Sequence, residues 1–519
     1  MKQNLRTLVT LAAVFGSSLF VTAQQVNTLY FLENAPMRHT INPAFQPVQE
    51  FYMTFPAIGY TSLWLGNYDL TLSDWIYKNE KGKPVTPLQP NEEANWNKLP
   101  KMFNVEADAT INLFSLGWQV RERGYVHINA SERINSNVRV PKSIFSRVLN
   151  QKITPEEPID IMSTSAYAEV AFGYSHYINE QWSVGAKAKL LLGHGYLDAS
   201  VDNFDFRSSV DEVTLKGNVT TQHAGIAKYL INGSFDKDMW TYLNPSGYGA
   251  AFDLGITYKP IEMIQISAAV TDLGFIKWTG QLGDDKNLKP FENGSFTIDK
   301  TFTGAGGFEY GDYIKDDKFQ MNELILDIKN NLQLYQDEFL QYEAKNAQPI
   351  TQMLHANLNI GVDANFWENR VGVGVYSHTS FMTDTITEEV TLGAAFRPCN
   401  WFNIAASYSF LNGKWSNMGA AFGFAPYDGF MLTLAADYVP TMYVEGEKIN
   451  LPYKTSGLNL AVGIAIVAGT NNPKKTIDKD RDGVFDYRDG CLLTPKDIRV
   501  DEFGCPTDED GDGVPDYMD

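Results

Sequence analysis

The sequence predicts an all-β fold, a transmembrane antiparallel β-barrel of about 14 strands, and three observations lead to this prediction. Segments of about ten residues alternate apolar and polar side chains, which indicates strands with two different faces. The gaps between these segments alternate between short and long, as they do in outer-membrane barrels. After Val21 no stretch of about 18 residues is free of polar side chains, so no transmembrane helix is predicted.

The N-terminus has the features of a secretory signal peptide. Lys2 and Arg6 precede the apolar run Leu8–Val21, and the small residue Ala23 completes a cleavage sequence. The alternative is an N-terminal membrane anchor, but an anchor needs about 20 apolar residues and polar residues follow too soon. We therefore expect residues 1–23 to be a signal peptide.

Three segments show the alternation most clearly. From Leu354 to Phe366 every second residue is apolar, and the residues between them are polar or glycine. Trp182–Leu192 and Phe252–Tyr258 have the same period of two, which indicates strands. Soluble β-sandwiches alternate as well, so length has to decide. A strand of about ten residues matches a tilted membrane crossing and favours the barrel.

The pattern predicts 14 strands, an even number. They are Phe51–Leu65, Val105–Val120, Gly124–Ile134, Ala166–Tyr177, Trp182–Leu197, Tyr248–Tyr258, Met263–Leu273, Leu354–Phe366, Arg370–His378, Glu389–Arg397, Trp401–Leu411, Asn417–Ala425, Phe430–Tyr438 and Gly457–Ala468.

The connections between these strands fall into two classes. Tight turns include Arg121–Arg123, Asn179–Glu180, Lys259–Ile261, Trp367–Asn369, Pro398–Asn400 and Pro426–Asp428. Long connections include Gly66–Asn104, Asn135–Ser165, Asp198–Gly247 and Phe275–Met353. Outer-membrane barrels place short turns in the periplasm and long loops outside. With an even strand count, both ends of the barrel are expected on the periplasmic side.

Charged residues inside the predicted strands mostly share the phase opposite the apolar stripe. On a lipid-facing position near mid-depth, each would cost roughly 2–4 kcal/mol. We therefore expect them to line the lumen. They are Glu106, Asp108, Glu169, Lys187, Lys189, Asp253, Asp363 and Asp437.

Tryptophans near strand ends suit aromatic belts at the two membrane interfaces, with ordinary core tryptophans as the alternative. Trp182, Trp367 and Trp401 flank short turns, whereas Trp64, Trp278 and Trp415 lie near the opposite strand ends. Within the longest connection, the segment Phe319–Ala344 has helix-like apolar spacing and no proline or glycine. We expect an external helix there.

The C-terminal segment repeats one acidic pattern twice, D-x-D-x-D-G-x-x-D-x-x-D. Carboxylates at alternate positions before a glycine that lets the backbone fold back place hard oxygens around one point, which suits Ca²⁺. An EF-hand is the competitor, but its loop needs a glutamate at position twelve and flanking helices; a disordered acidic tail is the other alternative. The predicted ligands are Asp478, Asp480, Asp482, Asp486 and Asp489, then Asp508, Asp510, Asp512, Asp516 and Asp519.

The chain has three cysteines. Cys491 and Cys505 lie in the acidic segment and are able to pair in an oxidising periplasm, whereas Cys399 is left over in a predicted turn. With Thr494-Pro495 and Gly504-Cys505-Pro506 between the aspartate sets, the tail resembles the thrombospondin type 3 repeat. That resemblance implies a calcium-filled rod in which Cys491 and Cys505 form a disulfide.

Three motifs carry a resemblance of the barrel itself: Asn42-Pro43-Ala44-Phe45, the block Phe252–Pro260, and Val270–Ile276. They resemble an uncharacterised family of outer-membrane barrels related to the PorP/SprF proteins of type IX secretion and gliding, and more distantly to long-chain fatty-acid transporters. The resemblance implies a location in the outer membrane and leaves the cargo open.

We therefore expect four parts: a signal peptide at 1–23, a periplasmic N-terminal segment or plug at 24–50, the outer-membrane barrel at 51–470 and the calcium-binding tail at 471–519. One functional hypothesis is transport or binding of a small ligand, hydrophobic ligands included. The alternative is a structural or type IX secretion-associated envelope protein. The expected partners are outer-membrane lipid and envelope or secretion-system proteins. The net charge of −20 argues against nucleic acid.

An enzyme is not expected. His378, Ser380 and Asp384 lie close together and raise the hypothesis of a hydrolase, yet three common polar residues in a loop are usually only a solvated loop. The other histidines show no metal-ligand spacing, and no nucleotide-binding glycine pattern is present.

Overall fold

We describe the protein from a computed structural model. The structure describes residues 26–67, 71–75, 77–78, 84–85, 93–121, 123–142, 159–208, 212–225, 245–279, 292–303, 314–315, 318–319, 343–346, 349–367, 369–381, 386–399, 401–411, 414–427, 429–439, 443–444, 451–452, 455–469, 480–484, 490–491, 493–496, 498–501, 503–508 and 514–518.

Strands dominate the described part of the chain. They are β1 Phe51–Thr54, β2 Thr61–Gly66, β3 Tyr77–Lys78, β4 Pro84–Val85, β5 Met102–Val120, β6 Gly124–Pro141, β7 Ile159–Tyr177, β8 Trp182–Ser208, β9 Glu212–Gly225, β10 Gly247–Ile261, β11 Ile264–Trp278, β12 Glu292–Thr303, β13 Ile314–Lys315, β14 Lys318–Phe319, β15 Glu343–Asn346, β16 Ile350–Met353, β17 Ala356–Phe366, β18 Val371–Phe381, β19 Ile386–Cys399, β20 Phe402–Leu411, β21 Lys414–Tyr427, β22 Phe430–Val439, β23 Tyr443–Val444, β24 Leu451–Pro452 and β25 Gly457–Ala468.

The few helices are short. Two 3₁₀ helices, Asn27–Phe31 and Pro36–Thr40, precede the first strand, and two α-helices, Leu72–Trp75 and Glu93–Lys98, lie between β2 and β5. Within the described ranges, no helix is long and apolar enough to cross a membrane.

The sheet closes on itself into a 14-stranded antiparallel barrel, which confirms the predicted count. Its first wall strand is built from β1 and β2, which both pair with β5 on one side and with β25 on the other. Phe51 faces Ala468 across the closing pair, so the barrel begins and ends at the same rim. We call this the short-turn rim and the opposite one the long-connection rim.

The predicted strand positions are confirmed, except that Phe51–Leu65 is interrupted at residues 55–60, and some strands extend further at the long-connection rim. The residues Asn135–Pro141 continue β6, and Asp198–Ser208 continue β8, although both were expected in loops. The extension of β8 persists because β9 pairs with it from Gly195↔Gly225 onward, and β12 pairs with β9 in turn. At the long-connection rim, the sheet therefore continues past the barrel wall as the strands β8, β9 and β12.

Alternate side chains of the wall face opposite environments. Outward positions are apolar and exposed, with Leu254 60% and Phe252 56% accessible on β10. Between them Asp253 is buried, as are most of the charged residues predicted to line the lumen, including Glu169 and Lys189. An apolar surface that runs around the whole barrel exceeds what a soluble protein exposes and suits contact with lipid.

The tryptophan prediction is partly wrong. Trp182, Trp367 and Trp401 are exposed at the short-turn rim, as a belt requires. Trp64 and Trp278, at the other strand ends, are 0% exposed and face inward. Trp278 packs where Gly193 and Gly247 have no side chain, and its indole N–H donates to Gln352 Oε1 at 2.9 Å. The side chain of Trp415 lies outside the described residues.

The helix predicted at Phe319–Ala344 is not borne out at its two ends, because Phe319 ends β14 and Ala344 lies in β15. The rest of that segment lies outside the described residues.

Candidate functional site

The N-terminal segment, residues 26–49, lies inside the barrel against its inner wall. Its apolar side chains are buried together with inward residues from strands around the wall, among them Tyr376, Ala405 and Val467. Glycines take part in the same packing. A side chain at Gly361 would meet the ring of Tyr30, and one at Gly393 would meet Phe31. Small residues on the inner face of the strands therefore leave the space that the side chains of this segment occupy.

A carboxylate of the wall holds the start of the segment. Asp437 on β22 accepts hydrogen bonds from the backbone N–H groups of Asn27 and Thr28 and from the Thr28 hydroxyl. The same hydroxyl lies 2.5 Å from Ser407 Oγ on β20. The first 3₁₀ turn thus has its free N–H groups satisfied by the wall, which fixes its position.

The Asn42–Phe45 motif forms the second anchor. Asn42 Nδ2 donates to the carbonyl oxygens of Ile256 and Ala268, both at 3.2 Å, and so reaches two wall strands. Its Oδ1 accepts the N–H of Ala44 at 2.8 Å and closes a tight turn. Gly255 leaves the space that this side chain occupies. The motif therefore seats the segment on β10 and β11.

An ion pair joins the segment to the short-turn rim. Glu33 lies 3.4 Å from Arg397 Nε and accepts a hydrogen bond of 2.6 Å from Asn369 Nδ2. Burial alone would raise the pKa of Glu33, but the nearby guanidinium groups of Arg397 and Arg38 lower that pKa to about 2. The carboxylate is therefore ionised at any ordinary pH.

A buried imidazole pair connects the middle of the segment to the wall. The rings of His39 and His127 lie 4.2 Å apart, and a hydrogen bond of 2.7 Å joins His39 Nε2 to Tyr52. Lys187 Nζ donates to the carbonyl oxygen of His39 at 2.6 Å. Burial, and then the charge of Lys187, hold the pKa of His39 well below its usual value. His39 is therefore neutral in this position.

A polar cavity of about 160 Å³ lies between the segment and the long-connection rim. Met37 and Thr40 of the segment line it on one side. The wall contributes Tyr60, Ser62, Asp108, Thr110, Asn112, Asn129, Ser131, Arg133, Asn135, Glu169, Ala171, Lys187, Lys189, Asp253, Thr271, Asp272, His355, Asn357, His378 and Ser380. Among these described residues, only Met37 and Ala171 lack a side-chain nitrogen or oxygen.

An ionic network occupies one side of this cavity. Lys189 Nζ lies 2.8 Å from Asp253 and 2.6 Å from Asp272. Arg133 binds Asp272 through two N–H groups at 2.7 and 3.1 Å and reaches Glu169 at 3.0 Å. Because each charge has an opposite partner, the network is tolerated inside the barrel.

Sequence reasoning missed Asp272 and Arg133 as lumen residues. Asp272 shares the alternation phase of outward residues, but a bulge inserts one residue in β11 between the pairs Phe252↔Leu273 and Leu254↔Val270. Asp272 adopts a φ of 60° there and turns inward. Only a bulge signature would have revealed it. Arg133 has the same phase as the inward residues of β6, so the alternation of this strand was enough to predict that its side chain faces the lumen.

The predicted calcium ligands are only partly described. Asp480, Asp482, Asp508 and Asp516 lie in the described residues; Asp478, Asp486, Asp489, Asp510, Asp512 and Asp519 lie outside them. In the described part of the chain, no three His, Cys, Asp or Glu side chains come together as a metal site would require. Asp480 Oδ2 accepts the N–H of Thr494 at 2.7 Å, while its Oδ1 is buried without a hydrogen-bond partner.

The tail contains the expected disulfide between Cys491 and Cys505, and Cys399 is free. Gly483 has a φ of 96°, the left-handed conformation in which the predicted fold-back after the aspartates needs glycine.

The hydrolase hypothesis gains nothing from the geometry. His378 and Ser380 both line the cavity, two residues apart on β18, but His378 Nδ1 pairs with the Asn359 amide oxygen at 2.8 Å. Asp384 lies outside the described residues. Among the described groups, His378 is therefore oriented by an amide oxygen and not by the carboxylate that a catalytic triad needs.

Comparison with known proteins gives one family. A model described as a family of unknown function (DUF5723) matches residues 43–437. No curated protein matches the sequence.

Several solved barrels are similar at low identity. The toluene transporter TbuX of Ralstonia pickettii is 9% identical, with 84% of this chain and 94% of that chain covered and a TM-score of 0.41. A FadL homologue of Pseudomonas aeruginosa is 9% identical, with 86% and 98% covered and a TM-score of 0.42. For the toluene transporter TodX of Pseudomonas putida the values are 10%, 83%, 92% and 0.37. Scores this low carry no argument about function.

Proposed function

The chain belongs to this family of unknown function, and from the geometry of its lumen we propose a non-enzymatic outer-membrane barrel that binds a small ligand and passes it inward. One observation carries the proposal: the N-terminal segment spans the lumen beneath a polar cavity, held by hydrogen bonds to separate wall strands. Passage through the barrel therefore requires this segment to move.

The chemistry of the cavity favours a polar ligand over a hydrophobic one. An apolar ligand would have to displace water from hydroxyl, amide and charged groups without replacing their hydrogen bonds, which costs free energy. A polar ligand replaces those bonds. The sequence left both polar and hydrophobic ligands open, and the side chains that line the cavity favour the polar ones.

A reversible lock tests the gating role of the segment. In a C399S background, the substitutions T28C and S407C place two thiols where the native hydroxyls lie 2.5 Å apart. We expect the oxidised protein in liposomes to block the passage of small polar solutes in a swelling assay, and reduction to restore it. The C399S parent under the same oxidant and reductant is the control. Equal passage in the locked and unlocked protein would refute the gating role.

We also propose that the tail binds Ca²⁺ and lies in the periplasm. The repeated aspartate spacing supports this, as does the buried, unpartnered Oδ1 of Asp480, which is available to a cation. Bound calcium would tie the aspartates to one point and stiffen the tail. Titration of the purified full chain with Ca²⁺ by calorimetry tests it, with D480N and D508N as the variants expected to weaken binding. The absence of any calcium-dependent heat would refute it.

A structural or secretion-associated envelope role is the second candidate. The observation that favours it is the disulfide-bonded tail, which follows the last strand on the same rim as the N-terminal segment. Deletion of the gene with assays of surface secretion and envelope integrity distinguishes this role. Normal secretion and an intact envelope would argue against it.

A further inference from the structure

The wall beside the ionic network presents a continuous polar surface to the cavity. In the register of β2, β5 and β6, Ser62 lies opposite Thr110, Asp108 opposite Asn135, and Asn112 opposite Ser131. Directly opposed residues of antiparallel strands have Cβ atoms about 4.5–5.5 Å apart. All six line the cavity, so their polar groups form one surface. We call these six residues the polar wall.

Several groups of the polar wall are not used by the fold. Across the described residues, the side chains of Ser62, Thr110, Ser131 and Asn135 make no hydrogen bond to another protein group. Beside them, Asn129 is more than nine-tenths buried and its Oδ1 has no partner. Buried polar groups in proteins are nearly always satisfied. The buried ones, Ser62, Ser131 and Asn129, therefore need water or a ligand.

The charges of the cavity disfavour an anionic ligand. The cavity is lined by four carboxylates, Asp108, Glu169, Asp253 and Asp272, and by three basic side chains, Arg133, Lys187 and Lys189. Both basic residues of that network, Arg133 and Lys189, are already paired, and Lys187 is bound to the His39 carbonyl. An anionic ligand would meet more carboxylates than cations, and each of those cations already has a hydrogen-bond partner. A neutral ligand rich in hydroxyl groups meets donors and acceptors of its own kind.

The size of the cavity limits the ligand. A volume of about 160 Å³ is on the order of ten times the ~10–15 Å³ that one water molecule needs. A ligand that replaces this water needs several hydroxyl groups on a compact skeleton, as in a pentose or hexose.

We propose that the polar wall binds a neutral polyhydroxylated ligand of monosaccharide size, with Asp108 accepting hydrogen bonds from its hydroxyls and Asn135 and Ser131 completing the contact. This inference rests on the proposed function, because it names the ligand class of the same cavity. Asp108 is the recognition carboxylate, and the serine and asparagine side chains both donate and accept.

Equilibrium binding to the full chain in detergent tests the ligand class. The probes are D-glucose, gluconate as the anionic analogue and toluene as an apolar one, followed by calorimetry. We expect saturable binding of glucose, and none of gluconate or toluene. In D108N and in S131A we expect glucose affinity to fall about tenfold or more, the effect of losing a hydrogen bond to a charged or buried group. In S175A, an inward hydroxyl outside the cavity, affinity should be unchanged.

The outcomes separate this inference from the proposed function. Glucose binding that is equal in the wild type, D108N and S131A would overturn the polar wall as the site. No glucose binding, with solute passage still controlled by the T28C/S407C lock, would overturn the ligand class and leave the gated barrel standing. Preference for gluconate or toluene over glucose would also overturn the ligand class. Circular dichroism and heat-induced mobility shifts confirm that each variant is folded.

Discussion

Small residues of the inner wall determine where the N-terminal segment fits. At Gly393 the Phe31 ring occupies the place of a side chain, whereas the next residue, Ala394, faces outward. This neighbouring pair allows the inner and outer surfaces of one strand to be compared directly.

We predict that G393V displaces the segment and A394V does not. The added methyl groups of G393V overlap Phe31, and overpacking of this kind costs about 1–3 kcal/mol. Hydrogen exchange of residues 26–45 should accelerate in G393V, and solute passage should increase. Exchange in A394V should match the wild type. Unchanged protection of residues 26–45 in G393V would show that docking of the segment does not require the space above Gly393 for the Phe31 ring.

His39 makes the docking of the segment sensitive to mild acid. Its pKa is lowered in the docked state by burial and by Lys187, with His127 and Tyr52 completing its surroundings. Below its ordinary value near 6.5, the released segment binds a proton that the docked segment does not. The free energy that holds the segment in its docked position is therefore greatest above pH 6.5, and it decreases as the pH falls below that value.

We predict a smaller hydrogen-exchange protection factor for residues 36–45 at pH 5.2 than at pH 7.5, where the protection factor is the intrinsic exchange rate at each pH divided by the measured rate. The Glu33 ion pair does not interfere, because a carboxylate whose pKa is lowered from 4.5 to about 2 loses its contribution only below about pH 4.5. In H39Q, which keeps a polar side chain without titrating, the difference between the two pH values should shrink. Equal protection factors at both pH values in the wild type would contradict the assignment.

Alternation along the strands was enough to predict most lumen residues. Lys187, Lys189 and Asp253 are inward as expected, because lipid contact would be costly for each of them. Alternation failed at Asp272, where a bulge changes the phase, and at Trp64, which was placed by its nearness to a strand end. Ser62 and Gly66 share the face of Trp64, so phase alone would have assigned that tryptophan to the lumen.

At the scale of structural elements, the three sequence motifs all contribute to the contacts inside the lumen. Asn42–Phe45 seats the segment, Gly255 in the second motif leaves room for it, and Asp272 in the third anchors the ionic network. These contacts join residues far apart in sequence, so no local pattern reveals them. The resemblance to PorP/SprF proteins and to thrombospondin type 3 repeats stays a prediction.

The tail offers a test of its covalent loop. The bridge closes 14 residues that contain the exposed trypsin sites Lys496 and Arg499. A disulfide across a loop of this length stabilises by ~3 kcal/mol in the chain-entropy model. We predict that C491S/C505S is cleaved by trypsin at these sites at least several-fold faster than the wild type. Equal cleavage rates would show that the loop holds its shape without the bridge.

For the whole molecule, the apolar outer surface predicts that the cost of a charged substitution depends on how deep its position lies in the membrane. Leu254 lies midway along its strand and faces outward, whereas Trp367 lies at the short-turn rim and is 74% exposed. Lysine near the bilayer midplane costs ~2–4 kcal/mol and close to the interface ~0–1 kcal/mol.

We therefore predict that L254K lowers the free energy of unfolding in lipid vesicles by ~2–4 kcal/mol and W367K by ~1 kcal/mol or less. Denaturant titration of the refolded barrel measures both. Equal effects at the two positions would contradict the assigned membrane depth.

The closing pair has a mechanical consequence for anything attached to the tail. Ala468 pairs with Phe51, and Gly469 packs against Glu50, so the chain leaves the wall where the ring is joined. Strands of such barrels tilt by ~35–45° from the axis, so tension on the tail along the axis has a large component along β25. The ladder bonds of an antiparallel sheet are perpendicular to the strands. Such a force shears all the bonds on both sides of β25 together instead of opening them one at a time. The joint is therefore placed to carry load.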